Sequence, residues 1–209
     1  MTDAAENARP ARVAAVVLAA GLSSRMQGPN KLLAEFRGAA LIRHAVAAAC
    51  ASKATRVFVV TGHQADAVVA ALRGLPVGFI SNPDYTEGMA ASIRAAVAAL
   101  DGSTSAALFC LADMPLVTPA LLNSVIDAHA AHRDALACQP VHAGKPGNPV
   151  LWSAAAFAEL AELRGAEGAR GLLQGHASRV HRIEVAVPGI HVDLDTPDDF
   201  AAQRGSPRP

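Results

Sequence analysis

The run Val13–Leu18, VAAVVL, limits the possible folds more than any other stretch of this chain. It is apolar, rich in β-branched residues and too short for a helix, which is the pattern of a strand buried on both faces. Comparable runs occur at Arg56–Thr61 (RVFVVT), Val77–Ile80 and Ser105–Leu111 (SAALFCL). Between them lie Gly38–Cys50, Gln64–Arg73 and Ala90–Leu100, with apolar residues at helical spacing. Thr118 followed by Pro119 predicts a capped helix running to Ala131, and Ala135–Gln139 reads as a further strand. Strands alternating with helices up to Gln139 predict a mostly parallel sheet with helices on both faces. Such sheets bind ligands at the carboxyl ends of their strands.

The second half is less regular. His142–Pro149 (HAGKPGNP) is rich in Gly and Pro and reads as a loop inserted at the active site. Val150–Trp152 predicts a brief strand, Ser153–Leu163 and Glu167–Gly175 predict helices, and Val180–Val185 and Ile190–Leu194 predict late strands. Thr196-Pro197 opens a final helix through Gln203. Residues 1–10 and 205–209 are expected to be flexible tails around a single domain, 11–204.

Composition excludes several functions. The net charge is +0 and the pI about 7.1, so no broad basic surface exists for nucleic acid or an anionic membrane. No apolar run approaches the ~20 residues that cross a bilayer. Asp3 and Glu6 offset Arg9 and Arg12, which argues against a leader at Ala11–Leu22. Cys50, Cys110 and Cys138 form no C-x-x-C pair and read as reduced thiols of a cytoplasmic protein. The histidines show no metal-ligand spacing.

The segment after the first strand points to a triphosphate. Ala19, Ala20 and Gly21 are small enough to bring backbone N–H groups close to a ligand. Ser23, Ser24, Arg25, a turn at Gly28-Pro29 and Lys31 add hydroxyls and two cations. The segment is neither a Walker A loop nor a G-x-G-x-x-G fingerprint. Asp113 ends a buried run, where an acid is costly unless paired or metal-bound, and Mg²⁺ on a nucleotide takes one or two carboxylates plus phosphate oxygens. Asp193 and Asp195 would share one face of a strand and repel unless a cation lies between them; Asp195, nearer the turn, is favoured. Taken alone, Asn82–Arg94 is an ordinary turn and helix.

LAAGLSSRMQGPNK, Leu18 to Lys31, resembles the LAAGxSxRMGxxK signature of the MobA-like nucleotidyltransferases, and most closely their molybdenum cofactor cytidylyltransferase branch. The spacing before Lys31 is one residue longer than usual. Asp113-Met114-Pro115 matches the family's DMP-type motif, and VDLDTPDD its DIDTPED-like string. NPDYTEGMAAS matches N-P-x-x-x-x-G-M-x-x-S at Asn82, Gly88, Met89 and Ser92, with Ala91 where a second Ser is frequent. GKPGNPV resembles a G-H-P-V-type loop with Asn148 in place of the frequent His, and GAEGARGLL resembles a G-D-x-G-A-R element.

The resemblance implies a three-layer α/β/α Rossmann-like nucleotidyltransferase fold. It implies Mg²⁺-dependent transfer of CMP from CTP to a phosphate-bearing acceptor, the molybdopterin molybdenum cofactor, with release of pyrophosphate. Arg25, Lys31 and Asp113 would carry the transfer. Leu18, Ala19, Ala20, Gly21, Ser23, Asn82, Gly88 and Ser92 would seat the nucleotide. Asp113 and Asp195, with Asp193 as the other candidate, would hold the metal, and Asn148 and Arg170 would face the acceptor. A molybdoenzyme or chaperone is a possible transient partner. Two alternatives remain open: transfer to a sugar- or alditol-phosphate on the same fold, and a nucleotide-binding partner protein without catalysis. A dinucleotide-dependent oxidoreductase is the weakest reading, for want of the glycine fingerprint.

Overall fold

The computed structural model describes residues 12–22, 30–166 and 168–204. The first strand, β1 (Val13–Ala19), is followed by a one-turn 3₁₀ helix (Lys31–Leu33) and a small ribbon, β2 (Glu35–Phe36) and β3 (Ala39–Ala40), leading into α1 (Leu41–Cys50). Then come β4 (Arg56–Thr61), α2 (Ala65–Ala71), β5 (Gly78–Ser81), α3 (Met89–Ala99), β6 (Ala106–Leu111) and α4 (Pro119–Ala131). The remainder is β7 (Ala137–His142), β8 (Lys145–Pro146), β9 (Val150–Ser153), α5 (Phe157–Ala161), α6 (Arg170–Gly175), β10 (Val180–Glu184) and α7 (Pro197–Arg204).

The main sheet has the order β10-β7-β9-β6-β1-β4-β5, with β8 paired to β7. β1 lies between β4 and β6, parallel to both, and β5 is parallel to β4. β9 runs antiparallel between β6 and β7, and β10 is parallel to β7. Strand alternation sorts the side chains into two cores. Val13, Ala15, Val17 and Ala19 pack with Leu41, Ile42 and Val46 of α1 and Leu122 and Val125 of α4. Val16, Ala107, Phe109 and Trp152 pack on the other side with Ile93 and Ala96 of α3 and Leu160 of α5. This is the expected three-layer α/β/α arrangement with a mostly parallel sheet.

Four expectations from the sequence are corrected. The stretch 142–149 is not all loop: β7 turns through Ala143 and Gly144, both at positive φ (51° and 75°), and pairs with β8. Two consecutive positive-φ residues make the tight hairpin turn whose twist suits antiparallel strands. Nor is 190–194 a strand. Pro188–His191 forms a 3₁₀ turn, and the backbone after it bonds to loops rather than to a strand edge. The Asn148 amide donates to the Ile190 carbonyl (3.2 Å), and the Leu194 amide to the Asp113 carbonyl (3.0 Å). Pro188 has no N–H to offer a ladder. Ser153–Leu163 begins with a 3₁₀ turn, Ala154–Ala156, before α5, and α6 starts only at Arg170 rather than at Glu167, which lies outside the described residues.

Among the described residues no helix is long and apolar enough to cross a membrane. Cys110 and Cys138 are buried in the core, and burial pushes their thiols up to about 12 and about 11. A thiolate-specific reagent at pH 8 is therefore expected to leave both untouched in the native protein and to modify them once guanidinium unfolds it. Rapid native labelling of either would contradict this packing. The half-buried Cys50 is the thiol expected to react first.

Candidate active site

β1 and β6 end side by side. The Ala112 amide donates to the Leu18 carbonyl (3.3 Å), so the segments leaving the two strands start level with each other. Between them opens a cavity of about 420 Å³, walled by Leu18, Ala19, Ala20 and Gly21 on the β1 side and by Asp113 on the β6 side. Packing beneath it is tight. A Cβ on Gly62 would lie 2.6 Å from Tyr85 Cβ and 2.9 Å from Ala20 Cβ, so only glycine lets these residues meet.

Lys31 reaches into this cavity from its 3₁₀ turn. Asn30 sets the turn, its Oδ1 accepting from the Leu32 amide at 3.0 Å. The Lys31 ammonium donates to Asp113 Oδ2 at 2.6 Å and also to Asp195 Oδ1, and all three side chains are largely buried. Burial alone would lower the lysine pKa; the carboxylates of Asp113 and Asp195 outweigh it and raise the value above the ordinary amine. The sequence motif assigns Lys31 to phosphate. Here it joins two carboxylates eighty-two and one hundred sixty-four positions away.

Asp195 is positioned by its own neighbours. The Leu194–Asp113 backbone bond brings it to the site. Asp199 then accepts from the Asp195 amide (3.0 Å), the Thr196 amide (2.7 Å) and Thr196 Oγ1 (2.8 Å), while the Asp199 amide donates back to Thr196 Oγ1 (3.3 Å). This is a capping box, and its hydrogen bonds hold the Asp199 carboxyl below its usual range. Asp199 is not among the residues singled out from sequence, although Thr196-Pro197-Asp198-Asp199 carries the T-x-x-D signal. Asp193 is exposed, and with no strand here the argument that it shares a face with Asp195 loses its basis.

The opposite wall comes from the β5–α3 connection. Gly88, Met89 and Ser92 line the cavity, with Tyr85, Thr86 and Ala166, which sequence reasoning does not single out. Asn82 is 2% exposed and lies behind Ser92: its Nδ2 donates to Ser92 Oγ (3.1 Å) and its Oδ1 accepts from the Asp84 amide (3.1 Å). It orients the serine that faces the cavity. Gly88 adopts φ +103°, and a Cβ there would sit 2.8 Å from Ala166 Cα. Gly88→Ala is expected to cost on the order of 2–4 kcal/mol, from backbone strain plus a clash with main chain, read as a lower urea midpoint. An unchanged midpoint would mean the 88–166 approach is not close. Ser23 and Arg25 lie outside the described residues.

A second cavity, about 690 Å³, adjoins the first and shares Leu18, Met89 and Leu111 with it. Asn148 and Arg170 both line it, together with Gln139, Trp152 and Arg182.

Two carboxylates converging on one cation provide hard oxygen donors of the kind a divalent ion takes, and the Lys31 ammonium stands in for such an ion between them. Among the described residues no cluster of three His, Cys, Asp or Glu side chains suits a metal. Mg²⁺ or Mn²⁺ on a nucleotide needs only one or two protein carboxylates, because phosphate oxygens and water complete the shell. The donors present therefore fit.

A small-residue loop after a central parallel strand, facing a carboxylate pair, is an arrangement suited to a nucleoside triphosphate beside a divalent ion, and the family match makes the chain an enzyme of the nucleotidyltransferase type. Residues 15–181 match the MobA-like NTP transferase domain, and the chain belongs to that family. It is 29% identical over 187 residues to the molybdenum cofactor cytidylyltransferase of Escherichia coli K12, covering 88% of this chain and 92% of that protein. It is 34% identical over 125 residues to the bifunctional protein GlmU of Geobacter metallireducens, covering 59% of this chain and 26% of GlmU, so it spans about a quarter of that relative's length. The crystal structure of Rv0371c from Mycobacterium tuberculosis H37Rv superposes with a TM-score of 0.81 at 29% identity, covering 94% of this chain and 99% of that one; its complex with manganese gives 0.76.

Proposed function

We propose that this enzyme transfers CMP from CTP to the terminal phosphate of the molybdopterin molybdenum cofactor and releases pyrophosphate. The observation that carries the reading is the Asp113–Lys31–Asp195 constellation at the mouth of β1, opening directly into a second cavity. One acceptor phosphate oxygen attacks the α-phosphorus in line, a P–O bond forms, and the bond to the bridging oxygen breaks as pyrophosphate leaves. Backbone from Ala19 to Gly21 and the Asn82-oriented Ser92 seat the nucleoside. Lys31, and Arg25 by resemblance, offset charge on the departing phosphates. Asp113 and Asp195 would hold Mg²⁺, which when bound withdraws charge from the α-phosphate. Manganese in the Rv0371c complex supports a divalent ion in this family.

Support for CTP comes from Ala20, which occupies a position where guanylyl-type relatives have glycine. Its methyl is buried in the core beside Gly62 and Tyr85, so the support rests on the resemblance of this position to the cytidylyl pattern. Asn148 and Arg170 face the acceptor, and the Escherichia coli relative supports its identity. Asn148, standing where a histidine is frequent, favours a second reading in which the acceptor is a sugar- or alditol-phosphate. We place the reaction in the cytoplasm, with delivery to a molybdoenzyme or its chaperone.

The test is pyrophosphate release with Mg²⁺, comparing CTP, GTP, ATP and UTP, with molybdenum cofactor as acceptor. Release with CTP that requires the cofactor is expected. Equal release with another triphosphate would overturn the donor, and release only with alditol phosphates would overturn the acceptor.

A further inference from the structure

We propose that Arg182 and Gln139 form a distal recognition end of the acceptor cavity, selecting a long phosphate monoester whose far end carries a carbonyl-type hydrogen-bonding edge. This rests on the nucleotidyl-transfer reading above and extends it to the size and shape of the acceptor. Strand order sets the distance. The second cavity lies over the sheet from Leu18 and Leu111, at the ends of β1 and β6, to Arg182 on β10. From β6 to β10 the sheet crosses β9 and β7, three steps of about 4.8 Å, or about 14 Å. A phosphate reacting beside Asp113 therefore leaves a long floor beyond it, and Trp152 and Phe109 make that floor apolar.

The polar groups stand at the far end. Arg182 and Gln139 are direct register partners on parallel strands, so their side chains leave the same face. Gln139 Nε2 donates to the Gly147 carbonyl (3.2 Å), which orients the carboxamide and leaves Oε1 as an acceptor. Arg182 supplies donors only, and among the described residues no carboxylate pairs with it. A donor fork beside a fixed acceptor matches an edge carrying a carbonyl next to an N–H. A sugar or alditol phosphate spans about half this floor and would leave Trp152 and Arg182 to water.

Trp152 is the only tryptophan in the chain, so its fluorescence reports on this cavity directly. The experiment titrates molybdenum cofactor, as the long probe, and erythritol phosphate, as the short one, into wild type, Arg182→Ala and Arg182→Lys. Trp152 emission and steady-state KM are read together. Arg182→Ala is expected to weaken the long probe about tenfold or more, in both Trp152 titration and acceptor KM, with the KM for CTP unmoved. Arg182→Lys should recover only part, because an ammonium lacks the planar fork. Turnover of the long probe with no change in Arg182→Ala overturns this proposal and leaves nucleotidyl transfer standing. Trp152 quenching that depends on Arg182 without turnover supports the recognition end and overturns the transfer reading instead. A wild type that binds and uses only the short probe overturns this proposal and the cofactor as acceptor, and leaves nucleotidyl transfer to an alditol phosphate standing.

Discussion

Asp113→Ala is expected to lower kcat by about 10²–10³-fold or more, with a much smaller change in the KM for CTP. On the proposed reading the side chain would lie where charge develops on the α-phosphate, while the nucleoside would be seated by other walls of the same cavity, Ala19–Gly21 and Ser92. Asp113→Asn keeps the shape and one acceptor oxygen but removes the charge, so a similar loss in that variant would assign the effect to electrostatics. Asp195→Ala should fall in the same range. If the two carboxylates act as one unit around a shared cation, the double variant should be little worse than either single one. The backbone tie from Leu194 to the Asp113 carbonyl does not depend on the Asp113 side chain, so the site should keep its outline. Pyrophosphate release at saturating CTP, with circular dichroism as a folding control, measures this. Near-normal turnover by Asp113→Ala would remove the carboxylate pair from the mechanism.

The elements legible in the sequence are those whose neighbours are fixed by local pattern. β1, β4 and β6 are apolar runs flanked by turn residues, and α4 carries a Thr118 cap with Pro119 behind it; the Thr118 hydroxyl accepts from the Leu121 amide at 3.2 Å. The β7–β8 hairpin is not legible because its turn places Ala143, a residue without a preference for positive φ, where Asn or Gly would have announced it. The 190–194 segment misleads because a short apolar run has no period of its own, and what decides its state is tertiary: bonds from Asn148 and to Asp113. At the site, the resemblance brings Asp113 and Asp195 together on one metal, but does not place the Lys31 ammonium between them. The second cavity is least accessible. Gln139, Trp152 and Arg182 meet only because β9 inserts antiparallel between β6 and β7 and β10 returns to the edge, a strand order that no linear pattern encodes.

Lys31→Met should show how much the chain relies on that cluster before any ligand arrives. Without metal or nucleotide, the variant leaves Asp113 and Asp195 facing each other in a largely buried site with their shared ammonium gone. Removing one partner of a fully buried pair costs about 3–5 kcal/mol. These side chains keep 12–22% of their exposure, so solvent screening reduces the expected loss to about 1–3 kcal/mol. The raised Lys31 pKa fixes the sign in the wild type. The pair's contribution is complete below the unfolded lysine value, about 10.4, and disappears as pH rises through the higher folded value. At neutral pH the variant should therefore show the whole deficit. A divalent cation offers the same two carboxylates a replacement charge, so Mn²⁺ without nucleotide should raise the melting temperature of Lys31→Met more than that of wild type and bind it more tightly. Catalysis should not recover with the fold if, as proposed, the ammonium also meets the triphosphate, because it is still missing. Thermal melts with and without Mn²⁺, and Mn²⁺ titration followed by electron paramagnetic resonance, read both halves. Equal Mn²⁺ affinity in the two proteins would mean that Lys31 and the metal do not compete for one position, and that the lysine serves the phosphates alone.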